Sequence, residues 1–259
     1  MTADVQRERP TSTQPGGSDR TGSVGRSARD QAATSAAAAG RPPIEVRDHD
    51  PEVLKYLRSA GVPPRFEDRR LGGFRDRPGA RRALEAASAV AGGQGASLFL
   101  SGPPGTGKTH LAVGIMAARY HAWLEAYPSP YVEELRPDGR SSVTTRPNFA
   151  CRFVVVPSFL DRLRAAARYT QAEDPLPPLF TVELLVLDDL GAEKTTDWAS
   201  ERLYVLVNER YNRMLPTIAT SNETPDELVA RGYGPLVSRL VEGGAIVMLT
   251  ADDYRKAPR

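Results

Sequence analysis

The chain has 259 residues, 40% of them hydrophobic, and a formal net charge of +2. That supplies one sizeable core and some additional material, and a charge balance that neither announces nor excludes a nucleic-acid partner, since a basic stripe can hide in a balanced total. The single cysteine, Cys151, excludes an internal disulfide and a cysteine-based zinc site; with no apolar run near the roughly 20 residues that span a bilayer and no apolar signal core, a cytoplasmic protein without a membrane partner is expected.

Residues 1–43 are rich in Ser, Thr, Gly, Ala, Arg and Pro and nearly lack large apolar side chains. Such a stretch buries too little to offset its ordering entropy, which predicts a disordered low-complexity tail. In 44–60, Val53, Leu54 and Leu57 fall on one side of a short helical segment that Gly61 and Pro63 close. A second amphipathic helix is expected over 80–90, with Leu84 and Ala87 on one side. Ser97-Leu98-Phe99-Leu100 reads as a strand, followed by a glycine-rich turn and a helix marked by Leu111, Ile115 and Ala118. Residues 121–150 hold several prolines and no clear period. A structureless connection of about 30 residues is unusual inside a compact domain, so a surface insertion is expected there.

Beyond it, a strand is predicted over 153–156 and a helix over 158–169. Leu184-Leu185-Val186-Leu187 is a continuous apolar run, as in a strand covered on both faces. Ala199, Leu203, Leu206 and Tyr211 mark a helix, and Thr217-Ile218-Ala219-Thr220 a strand. Thr224-Pro225-Asp226-Glu227 combines an N-cap threonine, a proline at the first helical position and a capping-box glutamate. A last strand is predicted over 245–250. Strands alternating with helices imply an α/β fold with a parallel sheet.

The chemistry concentrates in three places. Gly102-Pro103-Pro104-Gly105-Thr106-Gly107-Lys108-Thr109 matches the G-x-x-x-x-G-K-[ST] phosphate loop between a strand and a helix. Glycines let successive N–H groups face one anion, and the following helix, with His110 in its first turn, aims its positive end at it. Lys108 would reach the β- and γ-phosphates of ATP and Thr109 would ligate Mg²⁺; the competing reading is a glycine-rich turn with a chance lysine. Asp188-Asp189 ends the most apolar strand, at the carboxyl edge where open α/β sheets bind ligands. Asp188 would hold Mg²⁺ and Asp189 would orient or deprotonate water; the alternative is an acidic turn. Asn222 could position water if its strand lies between the two motif strands, or could cap the next helix. Arg239, in Leu236-Val237-Ser238-Arg239-Leu240, could reach a neighbouring subunit's nucleotide or be a solvated helix arginine. His49, His110 and His121 are scattered and suggest no metal site.

These residues resemble a known family. The loop with His110-Leu111-Ala112 is similar to that of the DnaC/DnaI/IstB group of AAA+ ATPases, and Leu187-Asp188-Asp189-Leu190-Gly191-Ala192-Glu193-Lys194 to the Walker B region of its helicase-loader branch. Asn208-Glu209-Arg210-Tyr211, Thr220-Ser221-Asn222, Ser238-Arg239-Leu240 and Gly61-Val62-Pro63-Pro64-Arg65-Phe66 resemble further segments of that group. The resemblance implies a AAA+ P-loop NTPase core over 61–259, a five-stranded parallel sheet between helices, no C-terminal helical lid, and an insertion at 121–150 without a counterpart in the group. It also implies a Mg²⁺-dependent ATPase that self-assembles with ATP, contacts single-stranded DNA and loads a replicative ring helicase, with Arg239 as the finger. An IstB-like transposition helper and a nucleotide-gated binding module with little turnover are the alternatives. A small-molecule phosphotransferase is disfavoured by the water-directed Asp189 and Asn222.

Overall fold

Five short strands, rich in apolar and β-branched residues, pair in parallel in the order β4-β5-β6-β1-β7. They are β1 (Ser97–Ser101), β4 (Cys151–Val155), β5 (Leu184–Leu190), β6 (Thr217–Ser221) and β7 (Gly244–Met248). The computed structural model describes residues 50–94, 97–135, 140–168 and 174–254, all within one compact unit. The tail expected at 1–43, residues 44–49 and Tyr169 lie outside the described residues, and the helix expected to run from 158 to 169 begins at Val156 and ends at Ala166.

Alternation along the central strands builds two cores. Leu184, Val186, Leu98, Leu100 and Ile218 pack on one face against α1 (Pro51–Ser59), α2 (Arg81–Ala91) and α3 (Lys108–Ala126). Leu185, Leu187, Phe99 and Ala219 pack on the other against α4 (Val156–Ala166), α5 (Asp197–Asn212) and α7 (Gly234–Glu242). Between α5 and α7 lie α6 (Pro225–Leu228) and a π-helical segment, Val229–Tyr233, with Gly232 at φ 94°. The capping box read from Thr224 and Glu227 is present at the start of α6.

Three expectations change. First, α3 runs on to Ala126, because Tyr120 and Trp123 continue its buried side, stacking at 5.5 Å on each other and, from Tyr120, at 3.6 Å on Tyr56. Second, the stretch read as structureless contains an antiparallel hairpin, β2 (Tyr131–Leu135) and β3 (Ser141–Thr145). Arg146 fastens its base, standing 4.4 Å over the Trp123 ring and donating to the Tyr127 carbonyl at 3.1 Å. The hairpin leaves Tyr131, Leu135 and Val143 exposed, so it has no buried face to imprint an apolar alternation. Third, β5 continues through Asp188 and Asp189 to Leu190, with its register against β6 shifting after Leu187.

Candidate nucleotide-binding site

The phosphate loop leaves the carboxyl end of β1 and enters α3. Gly102 has φ 143°, and a Cβ there would stand 2.1 Å from the Leu249 carbonyl oxygen, so no side chain fits. Gly107 caps α3 in the left-handed region at φ 105°, with the Phe74 ring filling the place of a Cβ. The Lys108 ammonium donates to the carbonyls of Gly102 at 2.6 Å and Pro103 at 2.8 Å, which draws it inside the loop. The first intrahelical bond runs from Leu111 N–H to the Gly107 carbonyl at 3.0 Å. The positive end of α3 therefore meets the loop, the arrangement that attracts phosphate. His110 turns its ring the other way: Nε2 lies 2.8 Å from the Arg70 carbonyl and the ring sits edge-on to Phe74. Burial lowers its pKa, so the imidazole is neutral, and what it can offer a nucleotide is its backbone.

Asp188 lies buried beside the loop. Its Oδ1 accepts from Thr109 Oγ1 at 2.9 Å and from Thr220 Oγ1 at 2.7 Å. Burial raises its carboxyl pKa, opposed by the Thr220 and Thr109 hydroxyls and reinforced by the charge of Asp189. A carboxylate and a hydroxyl side by side are the hard oxygen donors Mg²⁺ takes, with water and phosphate completing its shell. Asp189 is half-buried with φ 58°, a left-handed conformation, and its N–H donates to Thr220 Oγ1 at 3.1 Å. Thr220 thus touches both aspartates, although in the sequence a threonine in a buried strand looks like an ordinary β-former.

Asn222 is exposed in the loop after β6, and β6 does lie between β5 and β1. Thr224, not Asn222, caps the next helix. Lys108, Thr109, Asp188, Asp189 and Asn222 share one edge of the sheet. Arg239 does not. It follows the length of α7 to the opposite edge, where the Gly243 carbonyl accepts from Ser97 N–H at 3.1 Å, at the start of β1. There its guanidinium donates to Asn208 Oδ1 at 3.1 Å and Glu242 Oε2 at 2.8 Å, and stands 4.9 Å over the Tyr211 ring. Pattern reading also missed Arg77, which donates to the carbonyls of Thr106 at 3.3 Å and Asp252 at 2.7 Å, and Tyr254, whose N–H donates to Gly105 at 3.0 Å. Both belong to irregular segments with no period to read.

A parallel sheet with this loop, and an acidic strand end two strands away, is the AAA+ P-loop fold. No protein-family model matches the chain. It is 30% identical over 137 residues to the replicative helicase loader DnaI of Bacillus subtilis, covering 52% of this chain and 36% of that one. It is 28% identical over 171 residues to a putative insertion sequence ATP-binding protein of Sinorhizobium fredii, covering 63% and 48%. Each match therefore spans less than half of the curated relative. The crystal structure of the DnaC helicase loader superposes with a TM-score of 0.57 at 23% identity, over 73% of this chain and all of that one. The sequence relatives and structural neighbours are thus helicase loaders of the DnaI and DnaC type, the replication initiator DnaA and insertion sequence ATP-binding proteins, and it is to these, consistent with a DnaC/DnaI/IstB-type AAA+ protein, that the chain is similar.

Proposed function

We propose that this protein binds Mg²⁺-ATP, hydrolyses it to ADP and phosphate, and loads a replicative ring helicase onto single-stranded DNA, assembling with further copies of itself as it does so. The observation that carries the reading is the 2.9 Å contact between Thr109 and Asp188, which joins the phosphate loop to the acidic strand. On this reading residues 61–259 are the ATPase domain, and 1–43 and 44–60 are a tail and a helical segment ahead of it. The backbone of 102–110 holds the phosphates, and Lys108 exchanges its carbonyl partners for their oxygens. Thr109 and Asp188 hold Mg²⁺, which when bound offsets the charge of the triphosphate. Asp189 accepts a proton from, or orients, the attacking water, and Asn222 holds that water from the loop after the neighbouring strand. Arg239 serves the nucleotide of an adjoining subunit.

Two variants test the site. Lys108→Ala should weaken ATP binding by about 10²-fold or more, since charge-assisted contacts dominate such sites. Asp189→Asn should keep binding and lose about 10²-fold or more in kcat. Calorimetry and steady-state phosphate release measure the two, and undiminished ATPase in both variants rejects the site. The partner is tested by capture of purified hexameric helicase with and without ATP. A second reading, a transposition helper, is favoured by the similarity to an insertion sequence ATP-binding protein; selective capture of a transposase in place of the helicase would decide for it.

A further inference from the structure

One guanidinium ties together the loop that follows Asp189 and the loop that carries Asn222, the two water-handling residues. Arg231, in the π-helical segment before α7, donates from Nε and Nη2 to Thr195 Oγ1 at 3.1 and 2.7 Å. Nη2 also donates to the Glu193 carbonyl at 2.8 Å, and Nη1 to the Gly191 carbonyl at 2.5 Å. Those acceptors all lie in the loop that leaves β5 after Leu190, one residue beyond Asp189. Nη1 also pairs with the Glu223 carboxylate, in the loop that leaves β6 through Asn222.

The surroundings make this junction stiff. Ser221 Oγ donates to the Leu190 carbonyl at 2.6 Å, and Ser101 Oγ to the Glu223 carbonyl at 2.7 Å, so the ends of β5, β6 and β1 are joined by side chains. The Glu193 carboxylate is buried and occupied: it accepts from Gly191 N–H at 3.1 Å and from the Tyr233 hydroxyl. That removes Glu193, the glutamate nearest in sequence to the aspartate pair, from any role as the base. Asp189, in a left-handed conformation that few side-chain-bearing residues adopt, depends on its neighbours to hold it there.

We infer that Arg231 is a positioning residue for hydrolysis, clamping the loop that follows Asp189 to the Asn222 loop through Glu223. The clamp also joins both loops to the helix of Arg239, because α7 begins three residues after Arg231. The inference rests on the reading of Asp189 and Asn222 as the pair that handles water. A static clamp of this kind alters turnover rather than nucleotide affinity, because Lys108, Thr109 and the loop amides lie outside it. Misplacing a reacting group by about an ångström can cost on the order of 10²-fold in rate.

The test compares Arg231→Ala and Arg231→Lys with the full chain as it stands, by steady-state ATPase, calorimetric ATP binding and amide hydrogen exchange. Arg231→Ala should lose about 10²-fold in kcat while its affinity for Mg²⁺-ATP stays within about twofold. Arg231→Lys, whose ammonium can satisfy some of these acceptors but not all, should recover about tenfold. In the Ala variant, amides of 189–195 and 222–224 should exchange faster while those of β1 and β4 keep their protection. Unchanged kcat, or kcat and affinity falling together with faster exchange throughout, overturns the inference. If the wild-type chain itself releases no phosphate, the ATPase reading fails; the exchange comparison still decides the clamp, which falls if 189–195 and 222–224 are unaffected.

Discussion

Asp188 is kept where a carboxylate is costly. Burial raises its pKa, and the hydroxyls of Thr220 and Thr109 offset only part of that. Because the folded value lies above the unfolded one, the folded state binds the proton more tightly. The contribution of Asp188 to stability is therefore most favourable below the unfolded carboxylate pKa. It falls as pH rises through the folded value, and stays lost above it. Asp188→Asn keeps an oxygen for both hydroxyls and removes the charge. The variant should melt on the order of a few degrees higher than wild type near pH 7.5 in the absence of Mg²⁺. The gain should shrink toward acid and vanish below about pH 4, near the ordinary carboxylate pKa. Melting curves in chelator across that range measure it, and a lower melting temperature at pH 7.5 would contradict the account. The position of Asp188 was legible because a continuous apolar run ends at it. The roles of Thr220 and of the left-handed Asp189 were not, since neither a buried threonine nor a backbone dihedral leaves a pattern in residue types.

At the scale of elements, α5 sets the strands that carry these residues. Arg210 is its buried pivot, with no exposed surface, and burial pulls its guanidinium pKa down to about 9. It donates to the carbonyls of Leu179 and Val182 at 2.8 Å, to that of Pro216 at 2.7 Å, and to Thr217 Oγ1 at 3.0 Å. Those acceptors lie just ahead of β5 and at the start of β6, so one side chain fastens the beginnings of the strands that carry Asp188 and Thr220. Arg210→Ala leaves these acceptors without a donor and opens a cavity. A loss of at least about 3 kcal/mol is expected, read as a lower urea midpoint at unchanged slope. A loss under about 1 kcal/mol, the range of an ordinary surface change, would show that the fastening is dispensable. The helix itself could be read from Ala199, Leu203 and Leu206; that an arginine among them faces inward could not, because arginine at a helical position usually points to water. The hairpin at 131–145 escaped for the opposite reason, its apolar residues being exposed.

The whole molecule places Arg239 and the phosphate loop at opposite edges of one sheet. Gly102 follows the last residue of β1, whereas the turn after Arg239 bonds to the first, Ser97. A strand of that length spans about 17 Å at roughly 3.4 Å per residue, well beyond the reach of an arginine side chain folded against Asn208 and Glu242. Arg239 therefore has no path to the nucleotide of its own chain. If it acts on a phosphate, it acts on another subunit's, and it must release at least one of those partners to do so. Arg239→Ala should then leave ATP affinity unchanged and lower kcat by on the order of 10³-fold, as other arginine fingers do. A mixture with Asp189→Asn should recover phosphate release that neither variant shows alone. At the junction between an Asp189→Asn subunit donating its arginine and an Arg239→Ala subunit holding the nucleotide, every required group is present. Recovery should grow with total protein concentration, because it depends on assembly. An inert mixture would assign Arg239 to the packing of α5 on α7 alone, through Asn208 and Tyr211, and would leave the phosphate-loop chemistry to be completed within a single chain.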